Sequence, residues 1–277
     1  MKKNFELRAK RLCLLASIVL VAVIGLAACS SPAGGGDPAT QKITMTTTDS
    51  GLMSINLLGT GSATIDWGDG ASEEVTLFAS DDWSILSSHA FDHPYSSAAA
   101  KTITVTGAVT GFGSYHNGRA SDLNVSGCPG LKLLDCNTEA FTALDLSKNT
   151  KLEILDCGNN QLAALNLSKN TALEILDCYN NQLGTLDVTK NTNLKLLFCG
   201  STQLTSLNIT GCTELEQVYC DANDLPTLAM NAVLTALPDR TGLTNGYIEL
   251  SNNPGWNGSG YGEAKSAAQS KNWIVDD

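Results

Sequence analysis

The chain has 277 residues, of which 43% are hydrophobic and 16% charged, and its formal net charge at pH 7 is −11. The hydrophobic content excludes a chain that is disordered throughout, and the length exceeds one average domain, so we expect two ordered modules. The acidic balance argues against nucleic acid as a partner, because phosphate binding requires clustered Lys and Arg.

The first 28 residues form a predicted signal peptide and are set aside from the fold. Basic residues precede a charge-free stretch at 12–28, which is short for a membrane-spanning helix of about 20 residues. The sequence LAAC at 26–29 resembles the lipobox of bacterial lipoproteins. The resemblance implies cleavage before Cys29 and acylation of its thiol. An uncleaved anchor and an ordinary signal peptide are the alternatives.

The residues after the lipobox bear on location. Ser30, rather than an Asp, follows the cysteine, which is similar to lipoproteins sorted to the bacterial outer membrane. The periplasmic and the cell-surface side are both open. Gly and Pro in residues 29–41 predict a flexible tether. No later segment is long and apolar enough to cross a membrane, so we expect the lipid anchor to hold the protein there.

Residues 42–108 are predicted to form a small β domain. Short runs rich in β-branched residues, separated by Gly, Asp and Ser, occur at 43–48, 52–58, 63–67, 74–78 and 101–106. A tight-turn sequence, DWGDG, lies between two of these runs, and HPY follows before the last. This combination resembles the PKD family, which pairs a W-G-D-G turn with a later H-x-Y. The resemblance implies an immunoglobulin-like β-sandwich that serves as an extracellular spacer or interaction module.

Asp66, Asp69 and His93 are the side chains of this domain that could in principle bind a metal ion. No dense Asp/Asn loop of the calcium-binding type surrounds them. We therefore interpret them as two turn residues and a histidine at the edge of the core, and we predict neither a metal site nor a cofactor.

A 21-residue repeat dominates the second half of the chain. The sequence LEILDC at 152–157 recurs with few changes in five copies over 131–235, whose cysteines are Cys136, Cys157, Cys178, Cys199 and Cys220. The second copy contains the pattern L-x-x-L-x-C/L-x-x-N twice, at 152–160 and at 162–170, and the other copies follow it with substitutions. This nested pattern resembles the bacterial leucine-rich repeat class. The resemblance implies a solenoid over 109–253, in which stacked coils share one core.

Strand alternation predicts the direction of the side chains in each copy. Leu155 and Cys157 should point into the coil, and Ile154 and Asp156 should point away from it. Columns of Asn fall in the turns, where their amides can bond backbone groups that the bend leaves unpaired. These columns comprise Asn160, Asn181 and Asn223, and separately Asn149, Asn170 and Asn191.

The repeat weakens at both ends. Residues 123–128 resemble a preceding half-coil, and residues 248–253 predict one more strand and turn after an irregular insertion. An open solenoid end exposes its core and strand edges, so a terminal cap is expected. We assign this role to residues 254–277, which include a predicted helix at 262–271.

Seven cysteines remain after Cys29 and the signal-peptide cysteine, and an odd number cannot be fully paired. The five in the strand column should run parallel into the core, so we predict buried thiols rather than disulfides. Their spacing also differs from that of zinc ligands. The chain has three His and none of the common catalytic motifs. We therefore expect no enzymatic activity.

The outward residues of the first strand segment are the candidate binding face. Alternation predicts an exposed apolar row flanked by acids and aromatics, the kind of surface that soluble proteins hide or use. It comprises Leu133, Ile154, Ile175, Leu196, Asp135, Asp156, Asp177, Tyr179, Phe198 and Tyr219. Simple strand preference, or cover by the first module or another subunit, would also explain the row. We predict a non-catalytic surface for a protein or glycan partner. A purely structural or self-associating envelope component is the alternative.

Overall fold

The computed structural model describes residues 41–80, 83–114, 119–256 and 260–277. The predicted signal peptide, Cys29 and all but the last residue of the predicted tether lie outside these ranges. Within them no helix is long and apolar enough to cross a bilayer. The described chain is mainly β, with few helices.

The N-terminal unit is an antiparallel β structure built on two long strands. Its elements are β1 Lys42–Thr47, β2 Leu52–Asp66, β3 Ser72–Thr76, a 3₁₀ helix Trp83–Ser88, β4 Ala90–Pro94, β5 Lys101–Ser114 and β6 Ala120–Asn124. One edge of β2 pairs with β5, and the other pairs with β3 and β4. The runs predicted at 52–58 and 63–67 are thus one strand, which bends where the register shifts between Leu58 and Gly59 and between Thr60 and Ala63.

The strand β5 joins this unit to the solenoid. Its first half pairs with β1, and Gly111–Gly113 pairs in parallel with β7, the first strand of the repeat. The sequence boundary at residue 108 therefore falls inside a continuous strand. Buried side chains of both parts, from Ile43 to Val275, belong to one core cluster.

The repeat forms a β-solenoid of about five turns. One three-residue strand per copy enters the main sheet, and the second arc adds two strands to a smaller sheet. The main-sheet strands are β7 Leu133–Asp135, β8 Ile154–Asp156, β9 Ile175–Asp177, β11 Leu196–Phe198 and β13 Gln217–Tyr219, and the small sheet contains β10 Thr185–Asp187 and β12 Ser206–Asn208. Equivalent residues of successive copies pair in parallel, as Leu155 does with Leu176. The 21-residue period therefore fixes the register.

Two asparagine ladders connect the coils. The first ladder, at Asn160, Asn181, Asn223 and Asn253, uses both ends of the amide. Asn181 Nδ2 donates to Cys157 O at 3.0 Å and Cys178 O at 2.9 Å, while Asn181 Oδ1 accepts from Leu162 N at 2.9 Å.

The second ladder, at Asn149, Asn170 and Asn191, uses only the donor end of the amide. Asn170 Nδ2 donates to Leu146 O at 3.1 Å and Asn149 O at 2.9 Å. The Oδ1 atoms of all three residues are buried and accept no hydrogen bond within the described ranges. The structural role predicted for the Asn columns is confirmed in both ladders.

The regular pattern ends within the fifth copy. After Pro226 the chain forms helix α1, Thr227–Ala236, which buries Met230, Val233 and Leu234 in place of a second arc. The chain then adds β14 Gly246–Glu249, helix α2 Tyr261–Ser270 and β15 Trp273–Asp276. Both strands extend the main sheet in parallel. The predicted cap is therefore a further strand as well as a helix.

Candidate functional site

The alternation predicted for the repeat separates two apolar clusters on opposite sides of the main sheet. Leu155, Leu176 and Leu197 belong to the core inside the coil. Ile175, Leu196 and Phe198 form a different cluster, against which Ile154 and Tyr219 pack. We call these five residues the outer cluster. Their side chains lie on the far side of the sheet from the solenoid core, as the sequence predicts.

The expected exposure of this face is wrong at five positions, because Leu133, Ile175, Asp177, Leu196 and Phe198 are buried, while Ile154 and Tyr219 are half-buried. At the N-terminal end, Leu58 and Leu86 of the first unit pack on Leu133. Farther along, the members of the outer cluster pack on one another across strands that lie about 4.8 Å apart. The alternative that the first module covers the row is therefore confirmed at its N-terminal end.

The three outward aspartates terminate the strands. Asp135 Oδ1 accepts a hydrogen bond from Asn137 N at 3.3 Å, Asp156 Oδ1 from Gly158 N at 3.0 Å, and Asp177 Oδ1 from Tyr179 N at 2.9 Å. Each aspartate therefore forms the two-residue turn that bends the chain out of the sheet. The turn therefore explains why an aspartate occurs at this position of the first three copies. The row of negative charges on the outer face follows from this structural role.

Aromatic rings continue the outer face toward the C-terminus. The rings of Phe198 and Tyr219 stack with centroids 4.7 Å apart, and Tyr219 lies 5.4 Å from the ring of Tyr247. Sequence reasoning missed Tyr247, because the insertion before β14 breaks the 21-residue spacing that would have aligned it. Tyr247 Oη donates to Asp276 Oδ2 at 2.9 Å. Burial, followed by this bond, raises the pKa of Tyr247.

The outward side of the second arc has different chemistry. Its outward side chains are small or polar and exposed, among them Thr185, Asp187, Ser206 and Asn208. Asp187 Oδ1 accepts from Thr189 N at 2.9 Å, which repeats the turn found at the ends of the main-sheet strands. That bond also lowers the pKa of Asp187. The apolar and aromatic character is therefore specific to the main sheet.

In the N-terminal unit, the residues of the two short motifs form one cluster. The buried Trp67 ring stacks on His93 with centroids 5.0 Å apart, His93 Nε2 lies 2.8 Å from Asp69 Oδ2, and Tyr95 Oη donates to Trp67 O at 2.5 Å. Asp66 Oδ1 accepts from Gly68 N at 2.9 Å. The three side chains considered as metal ligands thus have structural partners. Within the described ranges no group of three or more His, Cys, Asp or Glu is arranged to hold a metal ion.

The seven remaining cysteines are free thiols in the structure, and all are buried. The prediction of buried thiols is therefore confirmed. Burial raises the pKa of Cys128 and Cys212 to about 11. It also raises the pKa of Cys136 and Cys157 in the strand column. These thiols are poorly reactive residues of the core.

No protein-family model matches the chain, and no curated protein matches it. Among solved structures the chain is similar to the functional domain of InlJ from Listeria monocytogenes, which is described as including a cysteine ladder. The identity is 28% and the TM-score 0.49, over 61% of this chain and 35% of that one. It is also similar to an internalin, InlF, from Listeria monocytogenes at 22% identity and a TM-score of 0.46, over 55% of this chain and 42% of that one. The chain thus spans less than half the length of either structure.

Proposed function

We propose that this chain is a lipid-anchored protein of the bacterial envelope whose leucine-rich repeat solenoid binds a protein partner and performs no catalysis. The contact surface is the outer face of the main sheet. The observation that carries the proposal is the contrast between the two outward sides of the coil. One side holds a separate apolar and aromatic cluster beside a row of aspartates, and the other is small, polar and exposed.

The accessible part of this face is its aromatic half. Tyr179, Tyr219 and Tyr247 are half-buried, and Gln217 and Glu249 lie on the strands of Tyr219 and Tyr247 respectively. Tyrosines combine a large apolar area with a polar tip, and they are enriched where proteins bind one another. Leu196 and Phe198 belong to the buried cluster on which Tyr219 packs. Substitution of those two buried residues would therefore change stability as well as binding.

The N-terminal unit has a structural role in this proposal. Its motif residues resemble the PKD pattern and form one packed cluster around Trp67. We assign it as a PKD-like unit that holds the first coil of the solenoid and sets it back from the membrane. Acylated Cys29 and the Gly-rich tether would supply the attachment, on the outer membrane.

Site-specific photo-crosslinking in the native bacterium tests the binding face. A benzophenone amino acid at position 179 should give a discrete crosslinked product that protease removes, because the partner is a protein. The matched control at Thr185, which is exposed on the second arc, should give none. No product at position 179, or the same products at both positions, would overturn the assignment. A product that resists protease would indicate a glycan instead.

Protease treatment of intact cells then determines the side of the membrane. Cleavage of the chain in intact cells places the solenoid at the cell surface. Protection in intact cells, followed by cleavage after the outer membrane is permeabilised, places it in the periplasm.

A further inference from the structure

The two ends of the main sheet are closed in different ways. At the N-terminal end β5 has partners on both edges, because β2 pairs with one edge and β1 and β7 pair with the other. At the C-terminal end β15 pairs with β14, and no other strand of the described chain reaches its second edge. The parallel sheet therefore ends in an open edge.

The pairing with β14 fixes which backbone groups face this open edge. Gly246 N donates to Asn272 O at 2.9 Å, and Leu250 N donates to Asp276 O at 2.7 Å. Successive residues of a strand direct their N–H and C=O groups toward opposite edges. The N–H and C=O groups of Trp273 and Val275 therefore face away from β14, which gives the edge two donors and two acceptors.

The side chains at this edge leave an apolar residue accessible. Trp273 and Val275 are buried, whereas Ile274 is 50% exposed on the outer face of the sheet. Leu243, which is 62% exposed, lies beside the edge, because its carbonyl accepts a hydrogen bond from Asn272 Nδ2 at 2.9 Å. Charged side chains, proline and bulges usually protect edge strands. In β15 the one charged residue is Asp276, at its end.

We infer that β15 pairs in antiparallel fashion with β15 of a second copy of this chain, across a two-fold axis at Ile274. In this register Trp273 of each copy exchanges backbone hydrogen bonds with Val275 of the other, which makes four bonds. Ile274 packs against its equivalent, and Asp276 lies opposite Asn272 rather than opposite a second Asp276. Both copies use the same patch, as in most homodimers. The inference is independent of the proposed partner binding.

A head-to-tail array of copies fits the structure less well. The strand β5 has no free edge to offer. The edge strands β3, β4 and β6 each carry one or two acids, namely Glu73 and Glu74, Asp92, and Asp122. Like charges on adjacent strands are destabilising, so these edges disfavour pairing with a strand that ends in Asp276. The backbone register and the charges of β15 both favour a second β15.

A cysteine at the two-fold axis tests the geometry directly. Opposed residues of a non-hydrogen-bonded antiparallel pair have Cα atoms about 4.5 Å apart, within the disulfide range of about 4.4–6.8 Å. The mature chain carrying Cys29→Ser and Ile274→Cys should form a covalent dimer when copper–phenanthroline and oxygen are added. Leu228→Cys is the matched control, because it is 82% exposed on α1. Equal dimer yields from the two variants would overturn the inference.

Sedimentation velocity supplies a second measurement without a cross-link. Over about 5–500 µM, the average mass of the Cys29→Ser chain should rise toward that of a dimer, since weak association follows mass action. Ile274→Lys places two ammonium groups opposite each other and should abolish this rise. Its melting temperature should be unchanged, because the side chain is half-exposed. A monomer at every concentration, or a dimer that survives Ile274→Lys, would refute pairing at this edge.

Discussion

The asparagine ladders allow the structure to rank two substitutions that are identical in the sequence pattern. Asn181→Ala, in the first ladder, removes three buried hydrogen bonds, to Cys157 O, to Cys178 O and from Leu162 N. Loss of each bond costs about 1–1.5 kcal/mol, since the backbone partner stays buried. We therefore expect Asn181→Ala to lower the free energy of unfolding by about 3–4 kcal/mol.

Asn170→Ala, in the second ladder, removes two such bonds, to Leu146 O and Asn149 O. It also removes Asn170 Oδ1, a buried acceptor that has no partner within the described ranges. A buried unpaired acceptor costs about 1 kcal/mol or more, so its removal offsets part of the loss. We expect Asn170→Ala to lower the free energy of unfolding by about 1–2 kcal/mol.

Urea unfolding of the Cys29→Ser chain, followed by far-ultraviolet circular dichroism, measures both losses as shifts of the midpoint at unchanged slope. Asn193→Ala is the control. Asn193 is exposed and makes one bond, to Thr171 O at 3.2 Å, so its loss should stay within about 0.5 kcal/mol. Equal losses for the two ladders, or a larger loss for Asn170→Ala, would refute this ranking, because both the number of bonds and the unpaired oxygen predict the smaller loss at Asn170.

Three further predictions concern the anchor, the thiols and the turn cluster. Cys29→Ser should move the protein from the detergent phase of a Triton X-114 extract to the aqueous phase, and unchanged partitioning would contradict acylation. Burial and the raised pKa of Cys136 and Cys157 should make alkylation of these thiols slow in the native protein and fast in urea. Mass spectrometry that finds these cysteines in disulfides would contradict the prediction of free thiols. The hydrogen bond from His93 holds the pKa of Asp69 below its ordinary value, so this carboxylate stabilises the fold above about pH 4 and ceases to do so as pH falls through the lowered pKa. In the Asp69→Asn variant the melting temperature should therefore fall less between neutral and acid pH than it does in the wild-type protein. An equal fall in the two proteins would exclude this role.

The sequence predicts the solenoid well because its information is local and periodic. A spacing of 21 residues fixes which residues are neighbours in adjacent coils, and a period of two within the strand fixes which side chains point inward. The pairings of Leu155 with Leu176 and of Asp156 with Asp177 follow directly. The sequence could not predict the burial of Leu133, because Leu58 and Leu86, which pack on it, lie some 50 to 75 residues earlier. No periodic signal connects these positions.

The irregular elements of the C-terminal region depend on tertiary contacts in the same way. Pro226 and Pro238 flank helix α1, and both prolines mark possible ends of an element in the sequence. The repeat pattern nevertheless continues through Leu225, so the sequence does not show that a helix replaces the second arc. The choice between another arc and a helix depends on what Met230, Val233 and Leu234 can cover. In the structure these three side chains close the core beneath the fifth copy. Local propensity alone does not determine that outcome.

The continuity of the core shows why the first unit accompanies the solenoid. A single coil cannot bury enough apolar surface to compensate for the entropy of ordering it, so the first coil needs a neighbour on its open side. Here β5 supplies that neighbour, since Gly111–Gly113 pairs with β7 and Phe112 lies fully buried in the shared core. The antiparallel unit therefore supplies the first neighbour of the parallel sheet, a strand that is itself held by β2. At the opposite end β15 has no equivalent neighbour within the described chain. At this end Trp273 and Val275 are already buried, so the groups left without a neighbour are those of the backbone, and a second copy would pair them.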